Sequence, residues 1–91
     1  MNRIDAFHFA QFGGYYDAIE GATIVFAVME KDCAARLGGE GGILHSIVER
    51  ARLYLGRMAY KAKHGSTLAN NRRKFMDAWY DYSAAAGLTF A

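Results

Sequence analysis

The 91-residue chain has no proline and one cysteine. Without proline, no helix interior is broken by a missing N–H. A lone thiol, Cys33, excludes an internal disulfide framework and fits a reducing compartment. No apolar run approaches the ~20 residues a bilayer-spanning helix needs; the strongest, Ala22 to Met29, is far shorter. The first residues lack the basic-then-apolar pattern of a secretory leader. These absences lead to the expectation of a cytoplasmic protein that does not enter the membrane. Motifs of phosphoryl, hydride or acyl transfer are missing as well, so the expectation is a protein that is not an enzyme and carries no cofactor.

The composition that remains is globular: 53% hydrophobic and 22% charged. At this length the expectation is one domain spanning residues 1–91. Six Phe, six Tyr and one Trp are many for so short a chain, which implies that some Tyr lie outside the core, offering contact area and a hydroxyl. Net charge is only +2 but unevenly spread. Residues 1–42 carry three basic against six acidic side chains, and residues 43–91 carry eight against three. Such asymmetry points to an acidic partner or to halves that attract each other.

Periodicity predicts an all-α fold, a small helical bundle of one short N-terminal helix followed by three longer ones. The first segment, with Asp5 as N-cap and Phe7, Phe9 and Phe12 behind it, reads as a short helix or as one arm of a hairpin turning at Gly13-Gly14; the helix is preferred. A second helix is predicted from Tyr15 to Leu37, with Ile19, Ala22, Phe26, Met29, Cys33 and Leu37 facing inward. The β-branched stretch Thr23 to Val28 competes as a strand, but its continuation through Leu37 into Gly38-Gly39 is helical and capped. Residues 39–42 form a glycine-rich connection with none of the Lys-Ser/Thr that a phosphate cradle requires.

The third helix, Ile43 to His64, organises the chain. Leu44, Val48, Ala51, Leu55, Met58 and Ala62 fall three and four apart and form one seam. Leu53 and Tyr60 lie on a face roughly opposite. Gly65 ends this helix, Ser66 is the expected cap of the next, and the last helix is predicted from about Thr67 to Ala86. Phe75, Trp79, Tyr82 and Ala86 form its inner stripe, Arg73 stands one turn before Asp77, and Gly87 stops it.

Catalytic and metal readings are weak. Cys33 has no local activator and sits on an inner stripe, which suits a small buried hydrophobe. His45 and Glu49 are one turn apart, but two ligands do not make a metal site, so none is expected. Asp77 and Asp81 face away from the aromatic stripe and suit a solvated face.

Two binding readings remain. The preferred one is a small regulatory protein that binds, and inhibits or sequesters, a protein partner through Leu53, Tyr54, Gly56, Arg57, Tyr60 and Lys61, as a homodimer in which Leu53 and Tyr60 meet their own copies. The organising helix is about 33 Å long, too long for one small protomer to cover on every face, and Tyr and Arg are enriched at binding hot spots. The alternative is nucleic-acid binding by Lys61, Lys63, His64, Asn71, Arg72, Arg73 and Lys74, which a hairpin of the last two helices would gather. Against it stand the small net charge and the acidic first half.

Overall fold

The computed structural model describes residues 18–36, 42–65 and 67–87. These form three helices: α1, Ala18–Ala35; α2, Ile43–Lys63; and α3, Ala69–Ala86. No strand occurs among the described residues. The short first helix expected near Asp5 to Phe12 lies outside them, as do the expected cap Ser66 and the outer ends of the predicted second helix at Tyr15 and Leu37.

The β-branched stretch is helical throughout. Thr23 is accommodated because its Oγ1 donates back to the Ile19 carbonyl at 2.7 Å, satisfying the hydroxyl within the helix. Left-handed glycines follow α2 and α3, Gly65 with φ 71° and Gly87 with φ 74°. A Cβ is strained in that conformation, so glycine is what permits each helix to stop there. At the start of α3 the N-cap residue Leu68 makes no side-chain capping bond, and the Ala69 N–H donates to Thr67 Oγ1 at 3.3 Å.

The central element is α2, packed most extensively against α3 and next against α1. Its inward residues differ in part from the expected seam. Val48, Ala51 and Met58 are buried, Leu44 and Leu55 are partly buried, Ala62 is exposed, and Ile47 is buried in addition. Two helices press on α2 from different directions, so its apolar contact is a broad band rather than one stripe. From α1 the core takes Ala22, Val25, Phe26, Met29 and Cys33; from α3 it takes Phe75, Ala78, Trp79 and Tyr82. Trp79 is buried, and its Nε1–H has no hydrogen-bond partner among the described residues.

Polar side chains fasten the three helices together. Tyr82 donates its hydroxyl to Asp32 Oδ2 at 2.5 Å, and Arg36 Nε donates to the same oxygen at 2.9 Å. The Arg36 guanidinium also reaches the Ala86 carbonyl at 3.1 Å, so it closes the end of α3 as well. Its hydrogen bond to Asp32 raises the Arg36 pKa. Arg50 pairs with Asp81 at 2.5 Å, joining α2 to α3, so Asp81 is not the purely solvated side chain expected. Arg73 turns back to Asn70 Oδ1 at 3.3 Å, away from the expected partner Asp77.

Candidate functional site

Leu53 and Tyr60 point away from the core at 48% and 65% exposure. Seven residues separate them on the outer face of α2, and Gly56 lies between. A Cβ built on Gly56 meets nothing within 4 Å, so the glycine opens a dip in that face rather than a tight helix contact within the protomer. Together with Arg52, Arg57 and Lys61, and with Asn70 and Asn71 from the first turn of α3, these residues line an open groove of about 600 Å³. Five of the six residues expected at a partner surface therefore share one concavity.

The sixth, Tyr54, stands beside it, half-buried. Its ring is approached by the Arg57 guanidinium carbon at 5.9 Å and by Lys74 Nζ at 5.6 Å, within cation–π range. Tyr60 leans on His64, ring centroids 4.2 Å apart and planes tilted by 43°.

Charge divides the molecule into a compensated part and an uncompensated one. Arg36, Arg50 and Arg52 are all ion-paired. Arg52 bridges Glu30 at 2.8 Å and Glu49 at 3.3 Å and lies 5.1 Å over the Phe26 ring. Its hydrogen bond to Glu30 is the main reason its pKa is raised. Arg57, Lys61, Lys63, Arg72, Arg73 and Lys74 form no ion pair with a carboxylate among the described residues. All but Arg57 lie in the last turn of α2 or the first two turns of α3.

The residues of the nucleic-acid reading are unequally exposed. Lys61, Lys63, His64 and Arg73 are exposed, but Lys74 is partly buried against Tyr54. Asn71 is only 4% exposed, which corrects the expectation that its amide is free to read base edges. The start of α3 turns that position toward the helix junction, and Asn70 is the neighbour left outside.

No protein-family model matches the chain, and no match was found among curated proteins or among solved structures.

A second cleft, of about 360 Å³, lies between α1 and α2 and is lined by Glu30, Cys33, Ala34, His45, Val48, Glu49 and Arg52. It differs from the groove in charge, because the Glu30–Arg52–Glu49 bridge sets two carboxylates against one guanidinium on its rim. Among the described residues no three His, Cys, Asp or Glu side chains converge as metal ligands, and no helix is long and apolar enough to cross a membrane.

Sequence reasoning missed Asn70 as a wall of the groove. Asn70 belongs to another helix, and nothing short of the closed α2–α3 hairpin places it beside Lys61.

Proposed function

We propose that this protein is a small non-enzymatic binding domain that regulates a protein partner by occupying or sequestering it, with the groove between Leu53 and Tyr60 as the contact. The observation that carries the reading is a large exposed aliphatic and a large exposed aromatic side chain on one concavity, beside Arg57 and Lys61 that no described carboxylate neutralises. Apolar anchors with a charged rim are the usual anatomy of a protein interface. Pairing of the groove with its own copy is the weaker form of this reading. A two-fold axis would bring two copies of the Arg57–Lys61 edge into one interface, and no carboxylate among the described residues lines the groove to relieve the repulsion.

The test uses Gly56→Leu, which fills the dip from a position where a side chain meets open space. Wild type and variant are immobilised and exposed to nuclease-treated lysate of the source cell. A protein retained by the wild type and lost by the variant supports the groove reading. Equal recovery on both refutes it.

Nucleic-acid binding stands second, favoured by the uncompensated cations around the α2–α3 turn. Changing Arg72, Arg73 and Lys74 together to Ala would then weaken binding at every sequence and reduce its salt dependence by about three phosphate contacts. Rim charges at a protein interface are worth little each, and the same triple change would leave a protein partner bound.

A further inference from the structure

We propose, resting on the groove reading above, that the occupant is an acidic segment of another protein carrying two apolar anchors about 10 Å apart. Leu53 and Tyr60 are two helical turns apart, about 10.5 Å along α2 at 1.5 Å per residue. Gly56 leaves the strip between them empty. An occupant with a pair of large apolar side chains at matching separation can pack against both ridges and reach into the dip.

The charge around this strip is one-sided. On one edge Arg52 is already engaged by Glu30 and Glu49. On the other, Arg57 and Lys61 have no carboxylate partner among the described residues. Carboxylates of the occupant therefore belong on the Arg57–Lys61 side, where a guanidinium can take a carboxylate in fork geometry. A phosphate backbone would satisfy the same cations, but its outer surface is anionic and leaves Leu53 uncovered. A second copy presents the same cations and no lining carboxylate. Only an acidic chain with apolar anchors answers both the charge and the exposed Leu53.

A random 12-residue peptide display library, selected on the wild type and counter-selected on Gly56→Leu, tests this without presupposing a sequence. The expected consensus has Asp or Glu beside two large apolar residues. Synthetic peptides of that consensus should lose tenfold or more in affinity on Gly56→Leu and on Arg57→Glu with Lys61→Glu. They should change less than threefold when Arg72, Arg73 and Lys74 become Ala.

A basic or uncharged consensus overturns the proposal, as does the absence of enrichment over the filled groove. A scrambled oligonucleotide that loses tenfold on Gly56→Leu overturns it in favour of nucleic acid. Sedimentation of a wild-type dimer that Gly56→Leu converts to monomer overturns it in favour of self-pairing. Circular dichroism verifies that Gly56→Leu folds, and Tyr60→Ala, at an exposed position, replaces it otherwise. A failed acidic consensus together with a lysate protein that still depends on Gly56 removes only the acidic partner; loss of both removes the groove.

Discussion

Removing the Tyr82 hydroxyl, as Tyr82→Phe, isolates one of the polar contacts that hold α1 to α3. The ring is fully buried, so Phe keeps the packing and deletes only the hydrogen bond to Asp32 Oδ2. Hydrogen bonds to charged groups contribute about 1.5–3 kcal/mol. In urea, with a slope of about 1–3 kcal/mol/M for small proteins, the midpoint should fall by roughly 1 M at pH 7. The pH dependence adds a second, independent readout. Burial first, and the donated hydrogen bond second, raise the Tyr82 pKa well above its ordinary value. The folded state thus holds this proton more tightly than the unfolded state. The associated stability is complete below about pH 10, where the unfolded phenol titrates, and is lost as pH rises toward the folded pKa. If the folded phenol stays protonated, wild type loses about 1.4 kcal/mol from this group by pH 11, and Tyr82→Phe has no such loss. The stability gap between them should therefore narrow by that amount between pH 9 and pH 11, other titrations cancelling in the difference. A gap below about 0.5 kcal/mol at pH 7, or one indifferent to pH over this range, would refute the pinning of α1 to α3 by Tyr82.

Gly56→Ala should stabilise the fold by up to about 1 kcal/mol through helix propensity, since the new methyl meets open space; a lower melting temperature would mean that the face is covered. Trp79→Ala should cost about 3–5 kcal/mol. Trp79→Phe should cost clearly less, because it also removes a buried donor that has no partner among the described residues; equal costs measured by urea titration would show that the indole N–H is satisfied. Arg50 and Asp81 are each about half exposed in their side chains, so a double-mutant cycle should give a coupling below about 1 kcal/mol, reduced further by salt; a larger and salt-independent coupling would contradict a solvent-screened pair.

Periodicity and punctuation made the helices legible in the chain itself. Spacings of three and four, with no proline, mark helical faces without any knowledge of neighbours. Gly65 and Gly87 announce the ends of α2 and α3, since the left-handed turn they make is a local property. The outward placement of Leu53 and Tyr60 was readable for the same reason: angle around a helix follows from residue number. Contacts between helices were not. Asp32 and Tyr82 are 50 residues apart, Arg50 and Asp81 are 31 apart, and Glu30 and Arg52 are 22 apart. No local rule selects these partners from the other charges available. The same limit explains Asn71, a polar residue near a helix start that local chemistry offers to solvent and the α2–α3 junction buries. It also explains Ile47, which joins the core because two helices press on α2 from different sides. The sequence by itself determined the angle each residue takes around its helix, because a 3.6-residue period is set by backbone geometry. Only the tertiary structure decided which cations are neutralised, and so which edge of the groove is left charged, because that depends on where the carboxylates of other helices arrive.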